Sequence, residues 1–319
     1  MHLYLAPMEG ITTHIYRNAF AKYYGGITRY YTPFLSNKVL STKEIRDIDP
    51  ANNKDIPLVP QILTNQADTF AEIANVLKEY GYTEVNLNLG CPSGTVVAKK
   101  RGAGFLDIPD QLDRFLDTIY TSCEIDISIK TRIGIDSEWE WEDLLAIYKK
   151  YPIKELIIHP RYQKEFYKGT PHVDAYKQAI DILSDTNIPL CYNGDIYSID
   201  TYHNFLKAVP DTSAIMIGRG AIANPNLPNI LTQTSYEQNA TEKYTTLRLF
   251  HDELLSGYLS YMSGEQPALF KMKELWAYMG TGFSVSEKLL KKVRKANRLA
   301  DYQSVVQTIW TSFSSDYDN

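Results

Sequence analysis

Cys91 lies in "NLNLGCPSGT", residues 86–95, where an apolar strand-like segment ends on a glycine, a cysteine and a proline. A cysteine in that place can be a buried core thiol, a metal ligand, a nucleophile or a proton donor. Other apolar runs finish on equally unusual chemistry. They end in Pro7, Met8 and Glu9; in Gln61; in Asn88; in Lys130 and Arg132; in His159 and Arg161; in Asn193, Gly194 and Asp195; and in Gly218, Arg219 and Gly220. Taken singly, Gln61 could satisfy a neighbouring backbone, His159 could be a hydrogen-bonded core histidine, and Lys130 could pair with a carboxylate. A buried polar group without a partner is costly, so the joint placement points to a polar ligand. In "YNGDI" and "MIGRGAI" the glycines expose backbone N–H groups and Arg219 adds a guanidinium, which suits a phosphate. "GRGAIA" also fits a dinucleotide fingerprint, but it follows the last strand and no second βαβ unit comes after it.

These residues need a scaffold that brings strand ends together. Eight β-rich runs are expected as strands: 3–8, 27–33, 58–63, 84–90, 127–133, 155–160, 188–194 and 214–220. Helical stretches lie between them, including "ADTFAEIANVLKEYG", "DQLDRFLDTIYTS" and "EWEDLLAIYKKY". Eight alternating units predict an α/β fold, a (β/α)8 TIM barrel, with an open doubly wound sheet as the competing arrangement. The alternation then stops, and a C-terminal all-helical domain is expected. The expected division is 1–239 for the barrel and 240–319 for the helical domain, with a disordered "SSDYDN" tail.

Composition narrows the class. The 319 residues are 44% hydrophobic and 22% charged, with a net charge of -5, and no run reaches the roughly 18–20 apolar residues of a membrane span. "MHLYLAPMEG" has no secretory pattern, so a cytoplasmic location is expected. Cys91, Cys123 and Cys191 are far apart and form no C-x-x-C pair, and no H-E-x-x-H occurs, so neither a disulfide framework nor a metal site is expected.

The ordered motifs "LAPMEGIT", "NLNLGCPSGTV" with "GAGFL", "IKTRIG", "IIHPR", "YNGDI" and "MIGRGAI" resemble those of the flavin-dependent dihydrouridine synthases. The resemblance implies an FMN-containing barrel that reduces the C5–C6 bond of uridine in RNA, usually tRNA, with NADPH as reductant. It implies that Pro7, Met8 and Glu9 lie beside the flavin ring, that Gln61 and Lys130 contact it, and that His159 also touches the cofactor. Asn193, Gly194, Asp195, Gly218 and Arg219 would surround the phosphate, and Asn88 would touch the flavin or the uracil. Arg132 and Arg161 are expected on the substrate side, although "HPRYQ" departs from the glycine and threonine that relatives often carry there. Cys91 would be the general acid that protonates C5 after hydride reaches C6. Chemistry is consistent with this, because enolate-like charge on the C5 side calls for a positioned proton donor and a free thiol, titrating near about 8.5, still holds its proton at neutral pH. A cysteine at a helix start instead tends towards thiolate. "SGTVVAKKRGAGF" is small, glycine-rich and basic, as expected of a mobile loop that closes over a substrate.

RNA would need cationic contacts outside the barrel. "SEKLLKKVRKANRLA" holds six basic residues against Glu287, and as one helix it would place Lys288, Lys291, Lys292, Lys295 and Arg298 on a face opposite Leu289, Val293 and Ala296. Lys291, Lys292 and Lys295 are the expected substrate contacts, and the chain is expected to be a monomer. The alternatives are another FMN barrel acting on a small pyrimidine or enone, dihydrouridine synthesis on rRNA, and an RNA-binding barrel without redox function.

Overall fold

Each strand-forming run is nearly continuous in apolar residues, which a parallel strand needs when helices cover one face and packed side chains fill the other. The computed structural model describes residues 1–232 and 240–315. Among them are nine parallel strands: β1 (His2–Leu5), β2 (Arg29–Tyr31), β3 (Leu58–Val59), β4 (Gln61–Ile62), β5 (Glu84–Leu89), β6 (Asp126–Arg132), β7 (Leu156–His159), β8 (Leu190–Tyr192) and β9 (Ala214–Ile217). Their order is β3-β2-β1-β9-β8-β7-β6-β5-β4. β3 and β4 are two halves of one barrel stave, interrupted at Pro60, which has no N–H to give to a ladder. β3 pairs with β2 and β4 with β5, so this stave closes the ring into a (β/α)8 TIM barrel. The Asn86 N–H donates to the Pro60 carbonyl at 2.8 Å, carrying the closure across the break.

The expected helices form over Ala67–Glu79, Pro109–Ser122 and Trp139–Tyr148. The first buries Phe70, Ile73, Ala74 and Leu77 and stops before Gly81, whose φ of +89° suits glycine. Inside the barrel, Tyr4, Tyr31, Ile157, Cys191 and Met216 fill the core, so Cys191 is a buried core thiol. At the bottom, Tyr4 donates to Glu155 at 2.8 Å, and Arg29 lies 3.3 Å from both Glu84 and Glu155.

Four helices follow: Ala240–Tyr261, Glu265–Gly282, Glu287–Lys295 and Leu299–Ser315. The first packs against the barrel helix His14–Tyr23, with the Phe250 ring 5.6 Å from Tyr16 and 5.3 Å from Tyr24. Trp276 and His251 both meet the Tyr302 hydroxyl, at 2.8 and 2.7 Å, tying three of these helices together. The expected boundary at residue 239 and the end of the tail, residues 316–319, lie outside the described residues.

One expectation is corrected. The basic stretch is not a single helix, because the chain leaves helical geometry at Ala296 and resumes at Leu299. Arg298 therefore does not continue the lysine face, and its guanidinium pairs with Asp301 at 2.9 and 3.0 Å. Lys288, Lys291, Lys292 and Lys295 remain exposed on the shorter helix, over the buried Val293.

The turn after β9 allows almost no side-chain bulk. A Cβ on Gly220 would lie 2.0 Å from the Ile196 carbonyl oxygen. Gly220→Ala is expected to destabilise the fold by about 1–3 kcal/mol in denaturant unfolding. Gly94→Ala, with nothing within 4 Å of the added Cβ, should stay within about 0.5 kcal/mol.

Candidate active site

The strands deliver their last residues to the C-terminal mouth of the barrel, where two connected cavities lie. A cavity of about 240 Å³ gathers Pro7, Met8, Glu9, Gln61, Asn88, Cys91, Lys130, Arg132 and His159. A narrower one of about 60 Å³ gathers Asn193, Gly194, Asp195, Gly218, Arg219 and Gly220, and shares Pro7, Met8, Lys130 and His159 with the first. Arg161 lines neither cavity, and Lys291, Lys292 and Lys295 lie on the separate C-terminal helix. The sequence reading missed Phe34, Tyr167, Tyr197, Glu274 and Tyr278, which also line the cavities. Tyr167 and Tyr197 lie on the loops that follow β7 and β8, and that position in a barrel is the signal that could have found them. Glu274 and Tyr278 come from the C-terminal helix Glu265–Gly282, and no strand pattern marks them.

A chain of amides orients the wall beside Cys91. Asn88 accepts through Oδ1 from the N–H groups of Gly90 and Cys91 at 3.0 and 2.9 Å, and donates through Nδ2 to Gln61 Oε1 at 2.7 Å. Gln61 passes the chain to Asn86 at 2.8 Å, and Asn86 to Ser128 at 3.0 Å. Asn88 and Gln61 are thus held in rotation, and the Asn88 amide nitrogen meets no second acceptor among the described residues.

Burial pushes the Cys91 thiol up from its ordinary value, and Glu9 adds to the shift. The Ser93 backbone, Arg132 and Lys130 pull the other way without reversing it. The helix that follows is one turn, Gly94–Val97, too short for a large dipole effect. The thiol form dominates at neutral pH. The stretch expected to be a mobile loop is fixed at its far end, because Gly102 to Leu106 are buried and the Ala103 N–H donates to the Cys91 carbonyl at 3.0 Å.

The opposite wall is cationic. Burial, reinforced by the Arg132 charge, pulls Lys130 down to about 7, and it forms no ion pair among the described residues. Burial and the surrounding cations keep His159 neutral; its Nε2 lies 3.1 Å from an Arg161 nitrogen, which makes Nε2 the acceptor. Asp195 sits between two guanidiniums, 2.5 Å from Arg161 and 2.6 Å from Arg219. Arg161 is fully buried and also donates to the Lys168 and Gly169 carbonyls. Arg132 donates to the carbonyls of Gly90, Tyr162 and Phe166 at 2.9, 2.9 and 2.7 Å. These two arginines hold backbone in place.

The arrangement fits FMN. An apolar ledge of Ala6, Pro7 and Met8 offers a flat surface, Lys130 and the amides offer polar contacts to a heteroaromatic edge, and Arg219 beside bare Gly194 and Gly218 offers a phosphate seat. A side chain at Gly194 has no room, since its Cβ would lie 1.9 Å from the Tyr192 hydroxyl.

Comparison with known families decides the lineage. The dihydrouridine synthase (Dus) family model matches residues 4–312. The chain belongs to the dihydrouridine synthase family. Similar proteins include tRNA-dihydrouridine(16) synthase of Escherichia coli strain K12, 27% identical over 97% of this chain and 98% of that protein. The synthase of the same name from Neisseria meningitidis serogroup B is 24% identical over 95% of each chain. tRNA-dihydrouridine synthase B of Pasteurella multocida is 29% identical over 72% of this chain and 68% of its own length. Two solved structures share the fold: a 2-naphthoyl-CoA reductase complex, TM-score 0.56 at 11% identity, and histamine dehydrogenase from Rhizobium sp. 4-9, TM-score 0.53 at 10%. Each covers 73% of this dihydrouridine synthase, which spans about half their length, 50% and 46%.

The raised Cys91 value has a direct consequence. The part of iodoacetamide alkylation that disappears in Cys91→Ala should be slow at pH 7 and still be rising at pH 9, without levelling off there. Full reactivity at pH 7 would show a thiolate.

Proposed function

We propose that this enzyme reduces a uridine of tRNA to 5,6-dihydrouridine, with FMN as cofactor, NADPH as reductant and Cys91 as general acid. The observation that carries the reading is the proton-holding Cys91 thiol in one cavity with Asn88 and Lys130, continuous with the Arg219 phosphate seat. When bound, FMN would supply hydride chemistry at C6 of a uracil held beside these residues. The negative charge that this leaves on the C5 side is neutralised when Cys91 releases its proton to C5. Lys130 and Arg132 stabilise the thiolate that remains, and solvent returns its proton. The free Asn88 amide hydrogen holds a uracil carbonyl, and the Gln61 contact keeps that amide aimed.

We assign the target to position 16. Of the relatives bearing that number in their names, three align over 95–97% of this chain, so their likeness runs through the C-terminal helices, while two others align over 71% and 76%, much as synthase B does over 72%. Those helices carry Lys288, Lys291, Lys292 and Lys295, exposed and suited to RNA phosphates. The target base must leave its stack to enter the mouth, so the outer contacts choose which base arrives. No helix among the described residues is long and apolar enough to cross a membrane, and we place the enzyme as a monomer in the cytoplasm with its RNA.

Single-turnover kinetics test the reading. NADPH should reduce the flavin of wild type and Cys91→Ala alike, while oxidation of the reduced flavin by unmodified tRNA should slow about 10²–10⁴-fold in the variant. Wild-type rates in Cys91→Ala would remove the general acid. Equal turnover of free uridine and tRNA would favour the small-pyrimidine reading. Replacing Lys291, Lys292 and Lys295 by alanine should weaken tRNA binding and flatten its salt dependence, and an unchanged salt slope would remove them from the interface.

A further inference from the structure

The loop after β7 is built with unusual care for a surface segment. Between Tyr162 and Gly169, four carbonyls are captured by two arginines: Tyr162 and Phe166 by Arg132, and Lys168 and Gly169 by Arg161. Two turns inside it have φ on the positive side, +53° at Phe166 and +66° at Gly169. The first is uncommon for a phenylalanine and persists only where the surroundings impose it. The pinned backbone presents one ring to the site. Tyr167 is 50% exposed, which rules out a core-packing role, and yet its ring lies 4.5 Å from the Arg219 guanidinium, 5.5 Å from that of Arg132 and 6.0 Å from the His159 ring.

Position completes the argument. Five residues line both cavities, and four of them, Pro7, Met8, Lys130 and His159, belong to the strand-end rim. Tyr167 is the fifth and comes from a loop, so its ring borders both the cavity of the phosphate seat and the chamber that holds Cys91. We propose that Tyr167 is the retaining residue of the cofactor: its ring closes the neck over the chain that joins phosphate to flavin ring, and must swing aside before FMN leaves. The proposal rests on the flavin reading given above.

The physics follows from the contacts. Guanidinium faces attract an aromatic ring, and the attraction grows where water is excluded. Arg219 is fixed on one edge by Asp195, so a bound phosphate, Arg219 and Tyr167 form a series in which each contact steadies the next. With the loop backbone held, opening needs only rotation of the tyrosine side chain, a motion local enough to leave the barrel undisturbed.

The test is a release measurement on the full-length holoenzyme, independent of turnover. FMN fluorescence is followed after dilution into excess apoflavodoxin as a trap. Tyr167→Ala is expected to release FMN about tenfold faster than wild type, and Tyr167→Phe within about twofold of it, because the ring face makes the contacts. Thermal unfolding of the apoprotein is expected to be unchanged in both, which separates retention from a folding defect. Release from Tyr167→Ala at the wild-type rate would overturn the retaining role and leave the flavin reading standing. Release from Tyr167→Phe as fast as from Tyr167→Ala would overturn the ring contact as its basis. A wild-type protein that takes up no FMN would overturn both.

Discussion

Four cationic side chains, Lys130, Arg132, Arg161 and Arg219, act on His159 at the mouth of the barrel, and two of them, Arg161 and Arg219, share the carboxylate of Asp195. Charges taken out of water must be paired, hydrogen-bonded or neutralised, and each of these meets that demand differently. Arg161 and Arg132 direct their N–H groups into carbonyls of the loop after β7. Arg219 shares Asp195 with Arg161. Lys130 has no such partner among the described residues, and burial pulls it down to about 7. Burial, reinforced by the surrounding cations, keeps His159 neutral, and the Arg219 end of the mouth favours an anion. The phosphate of the proposed FMN would meet that preference.

The helical segment is part of the same construction. Glu265–Gly282 runs across the rim, with Lys271 and Glu274 paired at 3.1 Å above Gly10, while at its far end Gly282 faces the Ala223 carbonyl at a distance that excludes a Cβ. The φ of +77° at Gly10 favours glycine in that turn. The helix that lines the cavity with Glu274 and Tyr278 is therefore seated on the turns that carry Pro7–Glu9 and Arg219. Helix Glu287–Lys295 then packs Leu290 against Gly280, so the lysine face is anchored to the element that rims the site.

Much of this was legible in the residues because parallel strands announce themselves as apolar runs and their last residues are the ones that face a ligand. Gln61, Asn88, Cys91, Lys130 and His159 all came from that rule, and all share one cavity. The run 58–63 reads as one strand, yet Pro60 cannot donate to a ladder, and each half pairs with a different neighbour. Arg132 and Arg161 look like ligand residues by type, and only the three-dimensional path of Tyr162–Gly169 reveals that their donors hold backbone. The helix break at Ala296 was missed because the charge pattern continues through it, and helical periodicity carries no information about where a backbone turns. Tyr167 was one tyrosine among 24 until the pinned loop singled it out.

The central claim is that the anion-seeking mouth and the Cys91 thiol together reduce one uridine of tRNA. The most direct measurement is a map of dihydrouridine in tRNA from cells that lack this protein, complemented with wild type or with Cys91→Ala. The account predicts that dihydrouridine disappears at position 16, returns with wild type and does not return with Cys91→Ala. Dihydrouridine unchanged in the deletion, or restored by Cys91→Ala, would contradict it.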